Sequence, residues 1–133
     1  MKILLDTHIF LWLNTDPERL GADLATVEDP RTQLVVSAAS SWEIAIKYGL
    51  GRLPLPEPPE RYVPERIRAL AAEGLPIAHN HALAVAGLPQ LHRDPFDRLL
   101  VAQATLLDLP IMTADAEVAQ YPVRSLVVGR SGV

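Results

Sequence analysis

Four acidic residues of this sequence fall where the pattern of apolar runs predicts that a strand passes into a helix. They are Asp6, Glu43, Asp97 and Asp115. In an open α/β sheet the carboxyl ends of parallel strands face one crevice, so acids far apart in sequence can meet there. A cluster of carboxylates in a crevice is costly unless a cation neutralises it. The spacing therefore predicts a metal site built from these four side chains.

The composition narrows the choice of metal. The chain contains no cysteine, which excludes thiolate ligands and leaves oxygen or histidine ligands. Mg²⁺ or Mn²⁺ therefore fits better than zinc. Carboxylates hold Mg²⁺ through a few oxygens and leave positions for water and a substrate phosphate, so that the ion activates a water for in-line attack. The chemistry predicted for the cluster is phosphodiester hydrolysis.

Repeated strand and helix signals indicate the elements that would carry the acids. Strands are predicted at 2–5, 33–38, 75–78, 109–113 and 123–128, and helices at 8–13, 17–28, 41–48, 64–74, 80–86 and 98–107. The prolines between 54 and 59 predict an irregular connector. With 133 residues and 49% hydrophobic content, the chain has room for one core, so we expect one domain spanning 1–133. The predicted fold is α/β, with a mostly parallel sheet of four to five strands and helices on both faces.

Each acid also has a purely structural explanation. Glu43 could form a capping box with Ser40 and an ion pair with Lys47. Asp97 could complement the N-terminus of a helix, and Asp115 could cap a short one. Asp6 is harder to explain in this way, because Thr7 could supply the cap. The recurrence of the same arrangement four times favours the metal site.

The charge and the termini restrict partners and location. A net charge of −4 argues against a protein that coats nucleic acid, although it does not exclude a nuclease whose acids bind a cation. Four basic residues near Glu43 or Asp97 in sequence could contact phosphates: Arg93, Arg98, Lys47 and Arg52. The sequence has no signal-peptide pattern and no apolar run long enough for a membrane span. We therefore expect a cytoplasmic protein with no membrane contact.

Five segments of the sequence carry a recognisable pattern, and the fourth of them is the most specific: 3–8, 37–47, 49–53, 92–104 and 112–115. Together they resemble the PIN-domain ribonucleases that act as VapC toxins of bacterial type II toxin–antitoxin modules. The resemblance spans nearly the whole chain.

The resemblance implies a Mg²⁺- or Mn²⁺-dependent endoribonuclease that is inhibited by a small antitoxin such as a VapB-like protein and forms a homodimer. The family's acidic quartet maps onto Asp6, Glu43, Asp97 and Asp115. Thr7 and Thr113 match positions beside the acids, where a hydroxyl could orient a carboxylate or a water, and Asp94 could support its loop as a cap. The family often has Asn at the position of His8, which could touch substrate or face solvent.

Two other functions are compatible with parts of the sequence. A phosphatase with an aspartate nucleophile after its first strand would need a second aspartate two residues later, where this chain has His8. A non-catalytic interaction module could keep the same fold. The aromatic residues Phe10, Trp12 and Trp42 have apolar neighbours, which favours core or dimer contacts over base stacking. His92 and the segment 79–81 are expected in polar loops or helix caps.

Overall fold

The computed structural model describes residues 1–129, so the last four residues of the predicted domain lie outside the described part. The described residues form five strands and six α-helices. The strands are β1 (Lys2–Leu5), β2 (Gln33–Ser37), β3 (Glu73–Leu75), β4 (Ile111–Thr113) and β5 (Ser125–Val127). The helices are α1 (Thr7–Thr15), α2 (Asp23–Glu28), α3 (Ala38–Gly49), α4 (Pro59–Ala69), α5 (His79–Ala84) and α6 (Pro95–Leu106).

All five strands are parallel and form one sheet with the order β3-β2-β1-β4-β5. The predicted α/β fold with a mostly parallel sheet is therefore confirmed. The chain moves from β1 to β2 and β3 on one side and returns to place β4 and β5 on the other. The strand order thus reverses between β1 and β4, and this is where α/β sheets open a crevice for ligands.

Hydrophobic side chains alternate between the two faces of the sheet and form one core on each side. Ile3 and Leu5 pack with Phe10 of α1, together with residues of α2, α3 and α4. Leu4 lies on the opposite face with Leu100 of α6. The three consecutive strand residues are fully buried, and burial of each such side chain contributes about 1.5–3 kcal/mol. The prediction of helices on both faces is confirmed.

Several predicted boundaries are wrong for local reasons. The helix predicted at 17–28 is a 3₁₀ helix (Pro17–Leu20) followed by α2, because Gly21 at φ +55° interrupts it. The helix predicted at 64–74 begins earlier, at Pro59, and contains Pro64. Pro59 takes the first helical position, where the missing N–H costs nothing, so the proline-rich connector ends in a helix. Strand β3 begins and ends earlier than the predicted 75–78, and its Gly74 pairs with Val36 of β2.

Other elements differ from their predicted bounds by a few residues. Helix α5 begins at His79 and gives way to a 3₁₀ helix (Val85–Gly87), and β4 and β5 are shorter than predicted. Helix α6 begins at Pro95 rather than at 98, because Asp94 caps it. Within residues 1–129, no helix has the length and apolar character needed to cross a membrane.

Candidate metal centre

Asp6 lies at the carboxyl end of β1 and precedes the first residue of α1. Its backbone N–H donates to Met112 O at 2.9 Å, and its Oδ2 accepts a hydrogen bond from Thr113 Oγ1 at 2.6 Å. It does not cap α1 with its side chain. The side chain is almost fully buried, and burial raises the pKa of Asp6. Its other oxygen, Oδ1, has no hydrogen-bond partner in the part of the chain that the structure describes.

Glu43 lies inside α3 and not at a strand-to-helix junction, so its predicted placement is wrong. Helix α3 begins directly after β2 because the Ser37 hydroxyl accepts the Ala39 N–H at 3.0 Å. The predicted capping box of Ser40 and Glu43 is therefore wrong too. The predicted ion pair is confirmed, with Lys47 Nζ 2.5 Å from Glu43 Oε2. Glu43 is 2% exposed, and its Oε1 has no hydrogen-bond partner among residues 1–129.

Asp94 and Asp97 share the first turn of α6 but have different roles. The Asp94 side chain accepts hydrogen bonds from the N–H groups of Phe96 and Asp97 at 2.9 and 3.1 Å, which is the cap role predicted for it. Asp97 is the third residue of the helix and is buried. Burial raises the pKa of Asp97 to about 7, with further increases from Asp6, Asp94 and Glu43 and a decrease from His92. The acids are thus close enough to influence one another electrostatically.

Asp115 lies in the turn that follows β4 and is partly exposed. Its N–H donates to Thr113 Oγ1 at 3.0 Å, so one threonine hydroxyl connects this turn to Asp6. Its Oδ1 accepts the Glu117 N–H at 2.9 Å, which is an Asx turn. The short 3₁₀ helix that follows (Val118–Gln120) has Glu117 at its N-cap and no side-chain cap, so the alternative that Asp115 caps a helix is wrong. The hydroxyl of Thr7, the other predicted position, donates to Ser40 Oγ at 2.9 Å and therefore not to an acid.

The sequence did not assign His92 and Glu117 to the site. His92 Nε2 lies 3.0 Å from Asp97 Oδ2 and 3.4 Å from Asp115 Oδ2, and its Nδ1 lies 3.6 Å from Glu117 Oε2. His92, Asp115 and Glu117 offer ligand atoms that all lie within 4.8 Å of one another. The sequence does give a signal for His92, which begins the most specific segment of the family resemblance and precedes Asp94 by two residues.

Hydrogen bonding argues against His92 as a metal ligand. Its Nδ1 accepts the Asp94 N–H at 3.1 Å, so the neutral ring carries its proton on Nε2. That nitrogen then has no lone pair to offer a cation and is instead directed at carboxylates. It has no partner in hydrogen-bond geometry within residues 1–129, although Asp97 is in contact.

The unpartnered oxygens fit a divalent cation. Asp6 Oδ1 and Glu43 Oε1 are buried acceptors without donors in the described chain, an arrangement that costs about 1–3 kcal/mol for each group. A hard cation that prefers carboxylate oxygens would satisfy them, and this favours Mg²⁺ or Mn²⁺. The carboxylate oxygens available at this site therefore agree with Mg²⁺ or Mn²⁺, the metals predicted from the sequence.

The four basic residues that were predicted to contact phosphate differ in availability. Arg93 and Arg52 are exposed, and Lys47 is paired with Glu43, which raises the pKa of the lysine. Arg98 is buried, and its guanidinium donates to Pro89 O, Val85 O and the Tyr121 hydroxyl at 2.8–3.2 Å. The prediction that Arg98 contacts phosphate is wrong, because its N–H groups donate to oxygen atoms of the protein itself.

A parallel sheet with buried carboxylates beside its switch point defines an α/β protein with an acidic ligand site. The model of the PIN domain family matches residues 3–123. The chain therefore belongs to the PIN domain family, as the resemblance implied.

A curated relative and several solved structures are similar to this chain. Ribonuclease VapC16 of Mycobacterium tuberculosis is 48% identical over 68 residues, which cover 47% of this chain and 48% of that protein. The chain thus matches about half the length of this relative.

The solved structures share the fold at low sequence identity. VapBC2 from Rickettsia felis, bound to a promoter DNA fragment, has a TM-score of 0.71 at 13% identity and covers 96% of this chain and 98% of its own. VapBC-1 from nontypeable Haemophilus influenzae has a TM-score of 0.62 at 20% identity, with the same two coverages.

Proposed function

We propose that this protein is a Mg²⁺- or Mn²⁺-dependent endoribonuclease and the toxin of a type II toxin–antitoxin module. The observation that carries this proposal is the pair of buried carboxylates Asp6 and Glu43. Each has one oxygen held by the protein and one without a partner in the described residues. The resemblance to VapC toxins and the 48% identity to a named ribonuclease over 68 residues support the substrate class.

The residues that would hold the ion are Asp6, Glu43, Asp97 and Asp115. A bound divalent cation would polarise the phosphate and make a nearby water more acidic. The protein itself orients the acids. Thr113 fixes one oxygen of Asp6, Lys47 fixes one oxygen of Glu43, and the Asp94 cap sets the first turn of α6 that carries Asp97. Support of this kind reduces the cost of arranging ligands when the substrate binds.

The raised pKa of Asp97 indicates what the chain does without a cation. Near neutral pH this carboxyl can keep its proton, which lowers repulsion among the buried acids. A bound cation would displace the proton from Asp97 and would neutralise the negative charge of the buried carboxylates. Arg93 and Arg52 are exposed and remain our proposed phosphate contacts.

The proposed partners follow from the same relatives. Structures with this fold include VapBC assemblies and a toxin–antitoxin complex from Klebsiella pneumoniae. We infer that this chain forms a homodimer and binds a VapB-like antitoxin, and that it acts on RNA in the cytoplasm without membrane contact. Light scattering of the purified protein tests the dimer, and co-expression with the product of the neighbouring gene tests inhibition.

The decisive experiment is cleavage of RNA with Mg²⁺ or with chelator by wild-type protein and by Asp6→Asn and Asp97→Asn. Both substitutions keep side-chain size but remove the negative charge that attracts a cation. We expect each to lower the cleavage rate at least about 100-fold, and chelator to abolish cleavage by the wild type.

Asp108→Asn is the matched control. Asp108 is largely exposed and has φ +53°, a conformation that asparagine tolerates well. This variant should cleave RNA at the wild-type rate. Cleavage that persists in chelator, or full activity of both site variants, would contradict the proposed mechanism and favour the non-catalytic interaction module.

A further inference from the structure

A surface cavity of about 380 Å³ adjoins the acids on the side of α1. It is lined by Asp6, His8, Trp12, Ala114, Asp115 and Ala116. Two of the four proposed metal ligands therefore form part of its wall. A ligand in this cavity would lie beside any phosphate that the acids and their cation hold.

The other walls are aromatic or small. His8 is exposed and Trp12 is partly buried, and their ring centroids lie 6.5 Å apart at an angle of 56°. Ala114 and Ala116 contribute only small side chains to the lining. Flat π surfaces beside a phosphate site suit a nucleobase, since every base can stack on an aromatic ring. The volume lies near the lower end of the roughly 300–1,000 Å³ typical of ligand pockets.

A positive charge lies close to the Trp12 ring. The Arg19 guanidinium carbon is 4.1 Å from the centroid of the indole ring. Arg19 does not line the first cavity but a second one, of about 480 Å³, which shares Trp12, Ala114 and Ala116 with it. In a chain with net charge −4, this arrangement offers a nucleic acid an aromatic surface followed by a cation.

We propose that the His8–Trp12 cavity binds one unpaired nucleobase of the RNA, next to the phosphate presented to the acids, and that Arg19 contacts the following phosphate. This inference rests on the proposed ribonuclease function. Trp12 is partly buried and packs against the hydrophobic core, which agrees with the core contact predicted for it, and the proposal concerns the exposed part of its ring. A base inside a duplex is stacked and paired, so the cavity selects single-stranded RNA.

The test measures binding of a fluorescein-labelled ten-nucleotide single-stranded RNA by anisotropy, using Asp97→Asn protein with Mg²⁺ so that the RNA stays intact. In this background Trp12→Leu keeps an apolar side chain for packing but removes the aromatic ring. We expect it to weaken binding about tenfold, and Trp12→Phe to restore most of the affinity. Arg19→Ala should weaken binding and reduce its dependence on salt by about one counterion.

Trp42→Leu is the matched control, because Trp42 is the other tryptophan of the chain and lies outside both cavities. It should bind as the parent protein does, and the same RNA annealed to its complement should bind more weakly. Equal binding by Trp12→Leu and its parent would overturn the proposal and leave the cavity to another occupant, such as a side chain of a protein partner. Equal binding of duplex and single strand would overturn it as well.

A cleavage assay separates this inference from the proposed function. In otherwise wild-type protein, Trp12→Leu should raise KM and leave kcat within about twofold. If Trp12→Leu cleaves RNA with an unchanged KM, the proposed ribonuclease function stands and the proposed base cavity is rejected. If the protein binds single-stranded RNA through Trp12 but does not cleave it, the proposed base cavity stands and the proposed ribonuclease function is rejected.

Discussion

At the scale of single residues, Asp6 and Glu43 are both almost fully buried but are supported differently. A neutral hydroxyl, that of Thr113, holds Asp6, while the ammonium group of Lys47 holds Glu43. In each case the support reaches one oxygen and leaves the other without a donor in the described chain. Folding gains nothing from an unpaired buried acceptor, so a ligand that binds these oxygens is the simplest reason for their presence.

His92 carries the first residue-scale prediction. Its Nε2 faces carboxylates from two different elements, Asp97 of α6 and Asp115 after β4. Loss of this ring should let the two carboxylates move apart and weaken Mg²⁺ binding about 10–100-fold, as measured by calorimetry on His92→Ala. His92→Gln, which can place an amide N–H near the position of Nε2, should recover part of the affinity.

Two other outcomes for Mg²⁺ binding by the His92 variants would contradict this prediction. Tighter Mg²⁺ binding by His92→Ala would show that the imidazole competes with the ion for Asp97 and Asp115. Unchanged binding by both variants would show that the contact between the ring and the acids has no part in the site. Circular dichroism of the metal-free variants is the control for folding.

At the scale of elements, Arg98 connects α6 to the loop that carries His92 and Asp94. Its guanidinium donates to backbone carbonyls of Val85 and Pro89 and to the hydroxyl of Tyr121. No carboxylate in the described residues forms an ion pair with it. Several neutral acceptors therefore compensate for the burial of this charge, and the same contacts hold the loop against the helix.

This network predicts a large effect of a conservative substitution. Arg98→Lys keeps the charge, but an ammonium group cannot reach the widely spaced acceptors that the planar guanidinium serves. We expect a loss of about 2–3 kcal/mol in the free energy of unfolding, measured by urea denaturation. Arg93→Lys is the control, because Arg93 is exposed in the same loop. Equal stability of the two variants would show that Arg98 is not a structural link.

The sequence predicted the elements best where one local rule decides the structure. Strands β1 and β2 were clear because their branched, apolar residues are buried on both faces of a parallel sheet. The start of α3 was missed because two serines could cap it, and the Ser37 hydroxyl also donates to Gln103 Oε1 of the distant α6 at 2.5 Å. That contact exists only in the folded protein.

In the candidate site, too, residues placed by a local rule differ from residues whose part depends on contacts formed only in the folded protein. Strand ends and helix starts were enough to place Asp6, Asp97 and Asp115, whereas Glu43 was placed at a helix start and lies inside α3. His92 could not be placed in this way, because its part depends on the Asp94 backbone N–H that fixes its tautomer and on the turn that brings Asp115 to it. The burial of Arg98 was equally hidden, since a basic residue next to a predicted site acid is expected at the surface.

At the scale of the whole molecule, the sheet order determines which acids meet. β1 and β4 are neighbours although more than a hundred residues separate them, and Leu5 pairs with Met112. Asp6 follows the last residue of β1 and Thr113 is the last residue of β4, so their side chains form a hydrogen bond across the switch point. The helices α3 and α6 add Glu43 and Asp97 to this edge, so folding itself concentrates negative charge there.

This concentration of charge predicts that the stability of the metal-free protein depends on pH. Asp97 holds its proton up to about pH 7 in the folded protein and releases it near pH 4 when unfolded, because unfolding exposes it to water. Between these values the folded state binds more protons, so the free energy of unfolding should fall as pH rises from 5 to 7. The contribution of one such group is at most about 1.4 kcal/mol per pH unit.

Urea denaturation in chelator at pH 5, 6, 7 and 8 measures this dependence, and Asp97→Asn should flatten it because asparagine does not titrate. Mg²⁺ should raise the midpoint of wild-type unfolding more at pH 8 than at pH 6, since at the lower pH the ion must displace a proton from Asp97. A wild-type slope that Asp97→Asn leaves unchanged would assign the titration to other groups. Stabilisation by Mg²⁺ that is equal at both pH values would place the ion away from Asp97.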